Sequence, residues 1–447
     1  MRFVDKLTAA AERLAHRQLA VPIIVETKAD RFQDVLSAIR GYLGGGRFGF
    51  RLLEQITEIF PLLRTIPTFN YIATVLPREW VFDLADAREV QRIYPNSLKY
   101  IVAYPTVPPE GVFQYERGAF RETKPFTTTY YTKKLIGADI ANKKGYDGTG
   151  VRVVVADTGL DRRHPATRHM WLDSTMAQVR DEVGHGEWVA ACIGGRYAED
   201  TRLGRKIGRI IPTEGMAPNS IVVGIKCLGY LVGTGTDDAI IKALELGFSK
   251  YRADIINMSL GGPIRAERQE EDPYYKPIKE LTERGVIVVA ANGNDGPEPK
   301  TVGTPAWLED VLSVGALDPI TGQIASYSSR GPTPDGRIKP DCVSYGGGLE
   351  HPIHAPITGW LDKAGDDTAT NNFSPIQGTS MATPHVSGLL ACMRQAFALR
   401  LGKVLTTEEV KRMLEELGEP KNNDTGYGLL DWSMFETWMS SEYGVTL

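Results

Sequence analysis

Residues 151–159 read VRVVVADTG, a β-branched run too short for a helix, closed by a carboxylate and a turn glycine. Such a run, bounded by turn residues, predicts a buried strand. Comparable runs stand at residues 221–226, 255–258, 286–290 and 311–314, with helical spacing between several of them, for example at 237–246 and 275–284. Near-continuous apolar strands alternating with helices predict an α/β fold, a mostly parallel sheet with helices on both faces. In such sheets sites form at the carboxyl ends of strands. Asp157, where the first run stops, is therefore a candidate functional residue, although a strand-end Asp also serves as a turn or helix cap.

Upstream the pattern changes. Residues 1–20 read as an Ala-rich helix, and residues 21–103 alternate short strands and helices like a small α+β domain. Strands are expected at 21–26, 69–76 and 98–102. Helices are expected at 31–43, where Phe32, Val35, Leu36, Ile39 and Leu43 share a face, and at 77–87. Residues 104–130, with Pro105, Pro108, Pro109 and Pro125 and little apolar periodicity, read as a linker before a large domain over 131–447.

Composition narrows the function. The 447 residues suffice for a large domain with a smaller companion, and 42% are hydrophobic, enough for a sizeable core. The formal net charge is −4, with 51 Lys and Arg against 55 Asp and Glu, so no general excess of base is available for nucleic acid. Cys192, Cys227, Cys342 and Cys392 are far apart and form no CxxC pair; they read as small buried hydrophobes. Gly44–Gly45–Gly46–Arg47–Phe48–Gly49 follows a helix rather than a strand, so it is no dinucleotide fingerprint, and no redox or nucleotide cofactor is expected. Charges at Arg2, Asp5, Lys6, Glu12, Arg13 and Arg17 interrupt any apolar leader. No apolar run has the length of a membrane span. A cytoplasmic location is expected over a secreted one.

Two more segments carry chemistry. Gly184–His185–Gly186 opens an apolar helical run, and Gly378–Thr379–Ser380–Met381–Ala382–Thr383–Pro384–His385 opens a longer one. A Ser at a helix start is usually a cap, but the free N–H groups and positive dipole end there also favour a developing anion. Pro384 is read as tolerated in the first turn. A serine hydroxyl needs a base in contact to be nucleophilic. His is suited by its near-neutral pKa, and a carboxylate fixes its tautomer. Asp157, His185 and Ser380 supply all three catalytic groups.

The three segments DTG, HG and GTSMATPHVSG resemble those of the subtilisin-like serine proteases, the subtilases, over roughly residues 131–435. Glu187–Trp188 stands where the family usually has Thr-His. The resemblance implies a serine endopeptidase that acts on peptide or protein substrates through an acyl-enzyme, with no cofactor for catalysis. In VIVVAANGNDG at 286–296 it implies that Asn294 is the oxyanion donor, with Asn292 as second choice, beside the Ser380 backbone N–H. It also implies that Ser259, Leu260 and Gly261 pair with extended substrate and that Gly303 floors a pocket for an apolar or aromatic residue before the scissile bond. Residues 21–103 are similar in size and element order to the family's pro-domain, which assists folding and inhibits its own enzyme. A processing site is then expected within 104–130. Calcium is a family theme, but Ala166 replaces a usual Asp ligand, so no metal site is assigned; Asp362, Asp366, Asp367, Asn371 and Asn372 could supply oxygen ligands.

Overall fold

Seven strands form one parallel sheet, in the spatial order Trp171–Ser174, Ile221–Lys226, Arg152–Asp157, Ile255–Met258, Ile287–Ala291, Leu312–Leu317, Cys342–Tyr345. The computed structural model describes residues 20–44, 63–101, 104–105, 113–116, 119–122, 127–229, 233–365 and 371–447, with Thr8 and Ala11. The helix expected over residues 1–20 lies almost wholly outside them.

The valine run explains why both faces are covered. Val153 and Val155 enter one buried cluster, with Trp188, Val189, Leu389 and Leu390. Val154 and Ala156 enter the other, with Ile240, Leu244, Ile278 and Leu281. Period-2 alternation thus sends consecutive apolar residues into different cores. On the first face lie the helices His185–Gly194 and Thr379–Leu401, and on the second Asp237–Ser249 and Tyr275–Glu283. Residues 379–397 of the long helix are buried all round, as expected for a helix inside a core.

The chain starts the sheet at Arg152–Asp157, moves to one side, then crosses back to Ile255–Met258 on the other. The strand order reverses between these two neighbours. Asp157 and Ser259 stand at their carboxyl ends, where a doubly wound sheet opens a crevice.

The amino-terminal region is a four-stranded antiparallel sheet in the order Leu63–Ile66, Tyr71–Pro77, Ala20–Thr27, Val90–Pro95. The helices Phe32–Gly44 and Arg78–Asp86 contribute Phe32, Val35, Leu36, Val81 and Leu84 to the core on one face, with Val21, Ile23 and Val25 of the first strand. The other face carries Ile24, Ile66, Tyr71, Ala73 and Tyr94, which join the cluster containing Ile240 and Ile278. Ion pairs Arg64–Asp238 (3.0 Å) and Lys276–Glu26 (3.1 Å) flank this contact. The small sheet therefore docks on the helices Asp237–Ser249 and Tyr275–Glu283.

Three expectations need correction. The strand near 98–102 does not complete the small sheet; its fourth strand is Val90–Pro95. The strand Leu98–Ile101 instead lies antiparallel between Thr234–Thr236 and Leu260–Gly261 of the large domain. The stretch 104–130 is not a featureless linker. Tyr104–Pro105 pairs with Phe373–Gln377, Phe113–Glu116 and Ala119–Glu122 form a hairpin, and Thr127–Thr128 pairs with Ile353–Pro356. Pro384 is the sixth residue of the helix Thr379–Leu401, not a first-turn residue. Its missing N–H leaves the Ser380 carbonyl without a helical donor, and the Ser259 hydroxyl donates to that carbonyl at 2.9 Å. The four cysteines are buried and unpaired. Among the described residues no helix is long and apolar enough to cross a membrane.

Candidate active site

Each motif places its polar residue at the same edge of the sheet. Asp157 ends the strand Arg152–Asp157, and His185 opens the helix His185–Gly194, with Gly184 as its cap at φ 101°. A side chain at 184 is doubly excluded: the left-handed backbone disfavours it, and a Cβ would lie 1.8 Å from the Thr358 carbonyl oxygen. Ser380 is the second residue of the helix Thr379–Leu401, which packs beside the helix His185–Gly194.

Asp157, His185 and Ser380 are all fully buried. Asp157 Oδ1 accepts from the Thr158 N–H at 2.7 Å and lies 2.8 Å from His185 Nδ1. A proton on Nδ1 makes this a hydrogen bond and leaves Nε2 with its lone pair. Nε2 is buried and has no hydrogen-bond partner. The Ser380 hydroxyl donates to the Ser259 carbonyl at 2.8 Å, so the structure joins acid to imidazole directly but holds the alcohol on the neighbouring strand end.

Two asparagines competed for the oxyanion role, and their environments differ. Asn292 is fully buried, and its Nδ2 donates to the Ser329 carbonyl at 2.6 Å. Asn294 is partly exposed; its Oδ1 accepts both the N–H and the hydroxyl of Thr379, each at 2.9 Å. Those bonds fix the amide's orientation beside the residue preceding Ser380 and keep the NH2 end as its donor side.

Ser259, Leu260 and Gly261 lie where an extended chain pairs: Leu260 faces Ile101 and Gly261 faces Tyr100. The Ser259 hydroxyl also accepts from Asn257 Nδ2 at 2.9 Å. Gly303 backs this segment, because a Cβ there would stand 3.0 Å from the Gly262 carbonyl oxygen. Residues 262 and 304 exchange two backbone hydrogen bonds, of 3.1 and 2.9 Å. Asp362 Oδ1 accepts from the Asn372 N–H, and Asn371 bonds Asp200, so these candidate oxygen ligands serve the local fold; Asp366 and Asp367 lie outside the described residues.

Sequence reading missed Asp181, four residues before His185. Its buried carboxylate accepts from the N–H groups of Val183 (3.0 Å), Gly184 (2.7 Å) and Glu187 (3.0 Å), anchoring the turn that presents His185. Burial pushes its carboxyl up, against the pull of these N–H groups. Its signal, an acidic residue just ahead of a helix start, was available. Lys226 was missed too; its ammonium donates to the Thr158 carbonyl at 2.8 Å and steadies the turn after Asp157. Glu187 is fully buried, accepts from the Asp161 N–H at 2.6 Å and meets the Thr167 hydroxyl; burial pushes its carboxyl up to about 8.

Residues 148–428 match the subtilase family. The serine protease AprX of Bacillus subtilis (strain 168) is 30% identical over 314 residues, covering 66% of this chain and 67% of that protein. The membrane-bound transcription factor site-1 protease of Mus musculus is 32% identical over 274 residues, 58% of this chain but 22% of that protein. Subtilisin DY of Bacillus licheniformis is 30% identical over 308 residues, 67% of this chain and 95% of that protein. The chain belongs to the subtilase family of serine endopeptidases, which need no cofactor for catalysis.

Proposed function

We propose that this chain hydrolyses peptide bonds with Ser380 as nucleophile, His185 as general base and acid and Asp157 as its orienting carboxylate. It is made as a zymogen whose residues 21–103 form an inhibitory pro-domain. The observation that carries the reading is the strand Leu98–Ile101, paired on both edges by Thr234–Thr236 and Leu260–Gly261 one residue from Ser259, whose carbonyl holds the Ser380 hydroxyl. A peptide paired in this register presents its next residue to Ser259 and its carbonyl to Ser380.

The chemistry then follows. The Ser380 hydroxyl turns from Ser259 to His185 Nε2, which takes its proton as Oγ attacks the carbonyl carbon. Asp157 Oδ1 stabilises the imidazolium through Nδ1–H. The tetrahedral oxyanion is held by Asn294 Nδ2 and the first-turn N–H of Ser380, donors already oriented when charge develops. His185 returns the proton to the leaving amine and an acyl-enzyme remains; water, deprotonated by the same imidazole, releases the acid. Counted along the register, the chain's own processing bond is Val102–Ala103, just ahead of the segment expected to hold it.

The experiment is labelling and self-processing on the full chain. A serine-directed phosphonate should modify Ser380, and incubation should yield a product beginning at Ala103. A chain that stays intact and unlabelled while degrading no peptide would overturn the reading in favour of a silent scaffold.

A further inference from the structure

Lys99 is buried where its neighbours are not: Leu98 and Tyr100 are each 40% exposed, Lys99 3%. Alternation along the strand turns its side chain into the large domain. There its ammonium meets Asp237 Oδ1 at 2.6 Å. A buried ammonium is costly unless it is paired and bonded, so this slot is built for a cation.

The walls agree. Asp237 opens the helix Asp237–Ser249, whose positive end favours its carboxylate. Its Oδ2 accepts from the Ser97 N–H at 2.7 Å, and its Oδ1 also takes the Tyr274 hydroxyl at 2.8 Å. The Tyr274 ring centroid lies 5.7 Å from Lys99 Nζ, within reach of a cation–π contact. Asp272, buried beside them and held by Thr304 (2.6 Å) and Trp307 (2.8 Å), adds a second carboxyl; burial pushes its pKa up, against the pull of these hydrogen bonds and of the Lys99 charge. Gly262 floors the slot: a Cβ there would stand 2.6 Å from Lys99 Cδ, leaving the lysine stem no room.

Gly261 faces Tyr100 and Leu260 faces Ile101. A substrate strand in that register puts the next residue against Ser259, and the slot receives the side chain of the fourth residue before the bond cut. We propose that Asp237, with Asp272, Tyr274 and Gly262, is a specificity pocket that selects a lysine, or another long cation, at the fourth position before the scissile bond. Lys99 is the chain's own occupant of it. This inference rests on the reading of Leu98–Ile101 as a substrate-like strand.

The test compares peptides identical except for lysine, norleucine or glutamate at that position. With the full chain, kcat/KM for the lysine peptide should exceed that for norleucine at least about tenfold, with glutamate slowest. Asp237→Asn should bring the lysine-to-norleucine ratio within about twofold. A binding arm uses the full chain carrying Ser380→Ala and Lys99→Ala, so that the slot is vacated and nothing is cut. There the lysine peptide should compete at least about tenfold better than norleucine against a fluorescent lysine peptide. That preference without any turnover by the unaltered chain would keep the pocket and reject the proposed hydrolysis. Equal affinity for lysine and norleucine, no binding of either, or a ratio that survives Asp237→Asn would overturn the pocket.

Discussion

The Ser380 hydroxyl donates to the Ser259 carbonyl, and the Ser259 hydroxyl donates back to the Ser380 carbonyl, at 2.8 and 2.9 Å. The residue expected to attack and the residue that begins the segment proposed to pair with substrate are thus tied reciprocally. Pro384 makes the second bond necessary, because position 384 has no N–H for the Ser380 carbonyl. Asn257 extends the link, donating to the Ser259 hydroxyl at 2.9 Å and accepting from the Ser387 hydroxyl at 2.8 Å. A buried chain of polar groups therefore registers the long helix on the strand Ile255–Met258. Removing one member leaves a buried partner unsatisfied, so Ser259→Ala should destabilise by about 1–3 kcal/mol. Chemical denaturation in a Ser380→Ala background reads this without self-digestion, and an unchanged midpoint would show that water replaces the hydroxyl.

Ser380→Ala should leave the chain at full length. If the strand Leu98–Ile101 is a substrate held in place, removing the nucleophile removes the cut without disturbing the docking of the small sheet. Loss of the serine should cost about 10⁶-fold in kcat on added peptides, a magnitude measured in subtilisin itself. Intact mass spectrometry checks the processing. A normally processed Ser380→Ala chain would mean that another protease makes the cut.

Asn294→Ala and Asn292→Ala should separate cleanly. Asn294 is fixed by Thr379 beside Ser380, so its loss should lower kcat about 10²–10³-fold with little change in KM, again a figure from the same family. Asn292 bonds the Ser329 carbonyl inside the core. Its loss should lower stability by about 1–3 kcal/mol. Steady-state kinetics beside thermal melts decide between them, and the opposite pattern would transfer the oxyanion role to Asn292.

The central sheet was legible because its strands are written locally. Val153, Val154, Val155 and Ala156 are apolar on consecutive positions in a β-branched run too short for a helix, which suits a strand buried on both faces, and the motif residues sit where those runs stop. What stayed illegible depends on partners far along the chain. Leu98–Ile101 looks like any edge strand; nothing in its four residues says that Thr234–Thr236 and Leu260–Gly261 receive it. In the hairpin, Phe113–Glu116 alternates but Ala119–Glu122, with Ala-Phe followed by Arg-Glu, does not, and both strands are four residues long between proline-containing stretches, which hides them. Pro384 is hard to place from sequence because a serine at a helix start suggests a cap at Ser380, whereas Gly378 holds that position at φ 148°.

Asp181 should prove a positioning residue. Its carboxylate accepts three N–H groups of the turn around Gly184 but is not bonded to His185. Asp181→Ala strands those donors in a buried site, so stability should fall by about 1–3 kcal/mol and kcat by roughly tenfold or more as the imidazole loses its fixed placement. Asp181→Asn keeps one acceptor oxygen and should recover part of the kcat loss. Equal kcat in Asp181→Ala and the unaltered chain would show that the helix His185–Gly194 is held by packing alone.

Glu187 gives the fold a pH dependence of unusual sign for a carboxylate. Burial raises it from an ordinary value near 4.5 to about 8, so in that interval the folded chain keeps a proton that the unfolded chain has released. The Thr167 hydroxyl meets Glu187 Oε1 and lies 3.3 Å from the His164 carbonyl; a neutral Glu187 carboxyl has an O–H to donate to Thr167, which leaves the Thr167 hydroxyl to donate to that carbonyl. Because the unfolded state binds fewer protons here, this group's stabilising contribution is full below pH 4.5 and lost as pH rises towards 8, by up to about 1.4 kcal/mol per pH unit. Glu187→Gln is neutral throughout and preserves an acceptor for the Asp161 N–H. Urea unfolding at several pH values in a Ser380→Ala background should show a flatter decline between pH 5 and 8 in the double variant than in Ser380→Ala alone. Parallel pH curves would mean that Glu187 is ionised in the folded chain, with its charge carried by the Asp161 N–H and Thr167 hydroxyl.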